Sequence, residues 1–224
     1  MMSNRLNMVK HRIRVVIFDF DGVILESSEI KTEAFLELFK DYPEHRKSIL
    51  EYHIEHQGIS RYKKFRWIYK TLLNSNYDKE IELQLGKTFS EIVFDKIMQA
   101  PFVPGALELL ELMESLVPAF IASGTPDSEL RQIVDDRSLT HFFENIFGSD
   151  ITKEEAIRKV KSEYNFKKSE MLFVGDAVSD YKAAMTENLH FIARNTPPMV
   201  NFWRKKNIRP VENLLQILDR YDIS

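Results

Sequence analysis

Cysteine is absent from the 224-residue sequence, which excludes disulfides, thiolate metal centres and cysteine nucleophiles, and fits a reducing cytoplasm. Backbone breakers are scarce too. Seven glycines and eight prolines fall well short of the ~12% that average usage gives the pair, so the few glycines mark places where the backbone has little choice. Neither sign of charge dominates: 31 basic against 34 acidic side chains leave a formal net charge of −3, which argues against a disordered tail or a domain-wide nucleic-acid surface. Long apolar runs are missing as well. The stretch Val15 to Leu25 is broken by Asp19 and Asp21, and Met1 to Arg14 is polar and basic, a pattern unlike a signal peptide or a membrane span. What remains is 26.4 kDa with a 44% hydrophobic fraction, enough for one large domain, or a core with a modest insertion.

Three short β-rich runs stand out: Ile13 to Phe18, Ala119 to Ala122 and Met171 to Val174. Each has the length of a buried strand and runs into a polar, glycine-containing turn: Asp19-Phe20-Asp21-Gly22, Ser123-Gly124-Thr125-Pro126 and Gly175-Asp176. Helical patterns such as Ala106 to Leu116 and Lys153 to Tyr164 lie between them. Alternation of this kind predicts a parallel α/β sheet whose ligands bind at the carboxyl ends of the strands, so the three turns share one edge. Residues 28–100 carry no comparable strand and have helical periodicity in Glu29 to Phe39, Tyr62 to Leu73 and Ile81 to Ile97, predicting an all-helical insertion after the first strand. A closing helix is expected over Val211 to Tyr221. No internal repeat or low-complexity tract is present.

Asp19 and Asp21, two apart on a strand leaving the sheet, point the same way. Two neighbouring carboxylates ionise together only with a cation or a shared proton to compensate, which suits a metal or an acid/base pair, although Asp-x-Asp-Gly is also ordinary turn chemistry. Ser123 and the Gly124 amide, with a helix starting near Pro126-Asp127, can hold an anion or merely cap that helix. Asp176 and Asp180 are spaced to share one side of a helix's first turn, where helix capping is the plainer use. Lys153 opens a helix, an unfavourable place for a cation against the helix dipole, unless it simply reaches solvent. A loop carboxylate, a neighbouring acid, an anion hole, one lysine and an acidic pair together describe magnesium-assisted phosphoryl transfer.

These residues resemble the haloacid dehalogenase superfamily of hydrolases. Asp19-Phe20-Asp21-Gly22-Val23 is similar to its first motif, Ile121-Ala122-Ser123-Gly124 to its second, Lys153 to its third and Gly175-Asp176-Ala177-Val178-Ser179-Asp180 to its fourth. The order and spacing match over nearly the whole chain, and the ordered coincidence is more specific than any single motif. The resemblance implies a Rossmann-like α/β core formed by residues 1–26 and 101–224, with a helical cap over residues 27–100. It implies Mg²⁺ as cofactor. Asp19 would be the nucleophile that forms an aspartyl phosphate and would also bind the metal. Asp21 would be the general acid and then base, its backbone carbonyl touching the metal. Ser123 and Gly124 would hold the phosphoryl group and Lys153 would neutralise it. Asp176 would be a direct metal ligand, and Asp180 a ligand through water or an orienting neighbour. The third motif lacks the common Lys-Pro form; Lys153 fits better than Lys159 because it follows Gly148-Ser149-Asp150 at the expected strand end.

Gly58-Ile59-Ser60-Arg61 resembles the cap loop of the β-phosphoglucomutase and phosphoglycolate phosphatase branches, which implies that Arg61 reaches a distal anionic group of the substrate; an exposed arginine opening a helix is the alternative. Arg61 also stands where the phosphonate-cleaving branch needs a Schiff-base lysine. His53 and His56 lack a third metal ligand and are expected at the surface or packed in the cap. In Arg61 to Trp67, Tyr62, Phe65 and Ile68 or Tyr69 form an apolar stripe while the lysines are expected to face solvent, and Arg204-Lys205-Lys206 reads as a solvated loop. The expectation is a cytoplasmic phosphatase, monomeric or homodimeric, acting on a small phosphorylated metabolite such as a sugar phosphate or a phosphoglycolate-like acid, with no nucleic-acid or membrane partner. A phosphohexomutase and a catalytically silent binding protein are the alternatives. Asp21 disfavours dehalogenation, which has no alcohol to protonate.

Overall fold

Alternation along the central strands decides where every layer sits. In the computed structural model, which describes residues 10–224, strand β2 (Val15–Phe18) is wholly buried. Successive side chains leave opposite faces of a strand, so Val16 and Phe18 enter one hydrophobic cluster while Val15 and Ile17 enter another. Helices therefore cover both faces, as an all-parallel sheet requires.

That sheet has the order β4-β3-β2-β5-β6, with β3 at Ala119–Ala122, β4 at Asn145–Phe147, β5 at Met171–Gly175 and β6 at His190–Ala193. All four pairings are parallel, including Phe18 opposite both Ile121 and Val174. The turns after β2, β3 and β5 consequently meet on one edge. On the face shared by Val15 and Ile17 lie α7 (Lys153–Tyr164) and α8 (Val178–Glu187), through Ile157, Val160 and Ala184. On the other lie α5 (Ala106–Met113) and α6 (Asp127–Asp136).

Between β2 and α5 the chain runs through four helices, α1 (Ser28–Leu38), α2 (Arg46–Glu55), α3 (Arg61–Trp67) and α4 (Lys79–Gln99). Phe35, Phe65 and Phe89 meet at their centre with ring centroids 4.9 to 6.0 Å apart, an arrangement that adds aromatic contact energy to plain burial. The last carbonyls of α4 lack helical partners. Arg137, just past α6, donates from Nη1 to the carbonyls of Ile97, Met98 and Ala100 at 3.1, 3.0 and 2.8 Å. One arginine thus ties the return segment of the insertion to the sheet layer.

Two expectations need correction. The first apolar run is not one strand: β1 (His11–Ile13) is separated from β2 at Arg14, whose amide donates to Glu170 O at 2.8 Å. The terminal segment is not one helix either. The Asn213 side chain accepts from Leu215 N at 2.8 Å and starts a short turn over Leu214–Gln216. Only Ile217–Arg220 is α-helical there, numbered α10 after α9 (Val200–Lys205), before β7 (Tyr221–Ile223) pairs parallel with β1. Val211 is instead drawn to the sheet, its amide donating to Ala193 O at 2.8 Å and its carbonyl accepting from Asn195 N at 2.9 Å, so the helix starts only after Asn213. No described helix is long and apolar enough to cross a membrane, and the expectation for the first nine residues lies outside the described ones. Ile97 O also accepts from Ala100 N, so replacing Arg137 with Met leaves the Met98 and Ala100 carbonyls unpaired and is expected to cost about 1–3 kcal/mol of stability in urea unfolding; an unchanged midpoint would contradict its tying role.

Candidate active site

Lys153 is the first residue of α7, and its position there has a clear reason. Thr152 caps the helix in a reciprocal pair with Glu155, so the side chain of Lys153 is free to turn back under the sheet edge. It is 7% exposed. Its Nζ lies 2.8 Å from Asp19 Oδ2 and also bonds Asp180 Oδ1. Burial alone would push this ammonium down, but the Asp180 and Asp19 carboxylates more than reverse that and hold it above its ordinary value.

Asp19 follows β2 directly and is 2% exposed; Asp176 follows β5 and is equally buried. Carboxylate oxygens of Asp19, Asp176 and Asp180 all lie within 4.8 Å of one another. Ser28 Oγ donates to Asp176 Oδ2 at 3.1 Å, and Phe20 N donates to Asp19 Oδ1 at 2.7 Å. Asp180 Oδ2 accepts from Ala177 N at 2.9 Å, so Asp180 caps its own helix and also orients Lys153. Three carboxylates against one ammonium leave excess negative charge. Burial and then the Asp180 carboxylate push Asp19 up to about 7, and burial followed by Asp19 raises Asp176 well above its ordinary value. A few hard oxygen donors with uncompensated charge fit a magnesium ion well.

Asp21 is aimed differently. Its Oδ1 accepts from Ser27 Oγ at 2.6 Å, and its Oδ2 from Thr125 Oγ1 at 2.9 Å and from Lys31. Burial pushes this carboxyl up, yet Lys31 together with those hydroxyls brings it below its ordinary value. Asp19 and Asp21 therefore line one cavity while drawing on different counter-charges. Gly22, between them and Ser28, has φ +76°, and a Cβ there would collide with the Asp176 carboxylate and Ser28 Oγ. Only glycine fits that turn. Ser123 Oγ accepts from Thr125 N at 3.2 Å, which shapes the turn, and Gly124 lies against the insertion: a Cβ on it would meet Gly58 O at 2.7 Å.

That approach closes over a cavity of about 50 Å³, with Asp19, Asp21, Asp176 and Gly124 among the residues of the sheet edge. A second cavity, on the far side of residues 57–59, holds Ser123 and Lys153. Two further contacts, at residues 57 and 61, keep the insertion down. Ser179 Oγ donates to Gln57 O at 2.9 Å. Arg61, expected to reach a substrate anion, lines the cavity, but its fork is engaged by Glu129 of α6: Nη1 lies 3.0 Å from Oε2 and Nη2 bonds Oε1. Ser90 of α4 bonds both partners. Far from exposed, Arg61 spans three helices.

Sequence reasoning misses several side chains of this cavity. Lys64, expected to face solvent with Lys63, is 3% exposed, because Arg61, Lys64 and Ile68 share the helix face turned inward. His53 is buried against Thr32 and Lys64, with ring nitrogens 3.1 Å from Thr32 Oγ1 and 3.3 Å from Lys64 Nζ, whereas His56 bonds Tyr52 O and stacks on Tyr52. The two histidines serve separate neighbours. Lys31, Thr125 and Glu129 carry no signal that a single sequence could offer beyond ordinary helical positions.

The model of a family described as haloacid dehalogenase-like hydrolase matches residues 16–194. No curated protein matches the sequence. Among solved structures, one described as a "putative beta-phosphoglucomutase" from Bacteroides vulgatus has TM-score 0.75 at 18% identity, covering 95% of this chain and 90% of that one. A "predicted phosphatase" from Clostridium acetobutylicum has TM-score 0.70 at 22% identity, covering 92% and 96%. CbbY from Rhodobacter sphaeroides in complex with phosphate has TM-score 0.66 at 15% identity, covering 83% and 88%. At these identities the likeness establishes the fold.

Two outcomes follow from the charges. A carboxyl raised by folding, like Asp19, costs stability as it ionises, so with chelator present stability falls as pH climbs from the ordinary carboxylate range through about 7; Mg²⁺ is expected to raise the melting temperature more at about pH 8 than at about pH 5. An equal rise at both would contradict the assignment. Glu129→Ala strands a buried guanidinium, a loss of about 3–5 kcal/mol if the closed contact persists, so the insertion is expected to open instead, and hydrogen exchange should quicken in residues 57–67. Unchanged exchange there would remove the Arg61–Glu129 contact from closure.

Proposed function

The chain belongs to the haloacid dehalogenase-like hydrolases, and from that premise we propose that it is a Mg²⁺-dependent phosphatase acting on a small phosphorylated metabolite through an aspartyl phosphate on Asp19. The observation that carries this reading is the Asp19 carboxylate, buried at the strand edge, 2.8 Å from the Lys153 ammonium and within 4.8 Å of the Asp176 and Asp180 carboxylates. Asp19 and Asp176 would hold the metal, with Asp180 keeping Lys153 in place. Bound there, Mg²⁺ supplies the charge neutralisation that lets a carboxylate approach an anionic phosphate.

In this reading Lys153 binds a phosphate oxygen while holding Asp19, and the Ser123 hydroxyl with the Gly124 amide orients the transferring group. The Asp19 carboxylate attacks phosphorus and the bond to the leaving oxygen breaks. Asp21 serves both halves of the reaction: it gives a proton to the leaving alkoxide, then takes one from the water that cleaves the acyl phosphate. Lys31 pairs with Asp21 in the closed arrangement, so a substrate oxygen entering between them would free the carboxylate to take up a proton from water before transfer and pass it to the leaving oxygen. The helical insertion acts as a cap that keeps bulk water out during transfer and must lift to exchange substrate for product.

The test is phosphate release from a panel of metabolite monoesters with and without Mg²⁺. Asp19→Asn is expected to lower kcat by at least about 10³-fold. Equal activity of variant and native protein would contradict the mechanism, and isomerisation of a hexose phosphate without phosphate release would make the enzyme a mutase.

A further inference from the structure

The closed cavity is divided by charge. Its acids, Asp19, Asp21 and Asp176, belong to the sheet edge, whereas the helical insertion contributes Lys31, His53, Arg61 and Lys64. Two of these cations are already matched, Lys31 by Asp21 and Arg61 by Glu129. Lys64 is not. Its Nζ lies 3.3 Å from His53 Nδ1 and 5.1 Å from the centre of the Phe35 ring, and no carboxylate among the described residues forms an ion pair with it.

His53 offers no compensating charge, since burial and then Lys64 push it down to about 2, leaving it neutral. Burial, followed by repulsion from Lys31, pushes the Lys64 ammonium down to about 7; Asp21 opposes this, while Arg61 and Lys153 add to it. A buried cation without a partner is costly, and a methionine of similar volume would fill the same wall without that cost. A second polar group is also unsatisfied: Gln57 Oε1 is buried without a hydrogen-bond partner among the described residues, and Gln57 lines the same cavity.

We propose that Lys64 is the specificity-determining residue of the cavity, receiving a second anionic group, a carboxylate or a second phosphate, carried by the part of the substrate that leaves. The inference rests on the phosphatase reading for the orientation of substrate, phosphoryl group toward Asp19 and leaving group toward α3. It gives the distal-anion role to Lys64, because the Arg61 fork is held by Glu129. An arriving anion supplies the counter-charge that Lys64 lacks and stabilises its ammonium form, while a hydroxyl beside that anion can satisfy Gln57.

The test measures equilibrium binding in an Asp19→Asn background with Mg²⁺, where turnover does not intervene. The probes are 2-phosphoglycolate, glucose 1,6-bisphosphate and, as the monoester without a second charge, ethyl phosphate. Lys64→Met is expected to weaken at least one doubly anionic probe by about tenfold or more, the scale of a lost charge-assisted hydrogen bond. Ethyl phosphate should change by less than about threefold, and Lys64→Arg should recover most of the lost affinity. Loss confined to 2-phosphoglycolate identifies a carboxylate, and loss confined to the bisphosphate identifies a second phosphate. An equal loss for ethyl phosphate, or no loss for either doubly anionic probe, overturns the proposal. If Lys64→Met does not fold, Lys64→Gln is read by the same ratio. Failure of the phosphatase reading appears separately, as absence of Mg²⁺-dependent phosphate release by the native protein.

Discussion

Everything at the strand edge depends on one buried ammonium. Lys153 faces Asp19 and Asp180 from the first turn of a helix, where its charge opposes the helix dipole, and those carboxylates outweigh both that opposition and the loss of water. The arrangement holds Asp19 in one orientation and brings Asp176 close enough for all three carboxylates to share a cation. Removing the ammonium would leave three acids in a site nearly closed to water. The parallel sheet makes this concentration of charge possible, since it brings three turns, far apart in sequence, to one edge.

The second organising feature is the division of charge between the two layers. The sheet edge is acidic and the cavity wall contributed by the helical insertion is basic, so in the proposed reading a phosphorylated molecule between them would meet carboxylate oxygens on one side and cationic side chains on the other. Closure itself uses charge: the Arg61 fork on Glu129, with Ser90 beside it, joins α3 and α4 to α6. The Gly58 and Gly124 backbones meet at the seam: a Cβ on Gly124 would press on Gly58 O, and one on Gly58, at φ +75°, would collide with Ser179 Oγ. Glycine is scarce in this chain, and these two are placed where the layers touch.

Much of the fold and of the site is legible in the sequence because it is local. The runs around Ile17, Ile121 and Phe173 are too short and apolar for anything but buried strands, and each hands over to its turn within a few residues, so the pattern of residues alone places Asp19, Ser123 and Asp176 on one edge. Lys153 and Asp180 follow from helix starts. Lys64 is not legible, because its neighbours Phe65 and Ile68 define an apolar stripe and only the packing of α3 against the other helices turns its face inward to the cavity. Glu129, Lys31 and Thr125 matter through partners on other elements. The pairing of β1 with β7 joins the two ends of the described chain, and the bonds of Val211 to Ala193 and Asn195 delay the helix expected over Val211 to Tyr221; no local pattern can encode either contact.

The central claim is that the carboxylate held by Lys153 forms a covalent bond to phosphorus. It is tested most directly by mixing the protein with a turned-over monoester and Mg²⁺, quenching in acid within the first turnover, and reducing with borohydride, which converts an acyl phosphate on aspartate to homoserine. The account predicts homoserine at position 19 and nowhere else. Rapid turnover with no modified residue, or with modification at a different carboxylate, would contradict it.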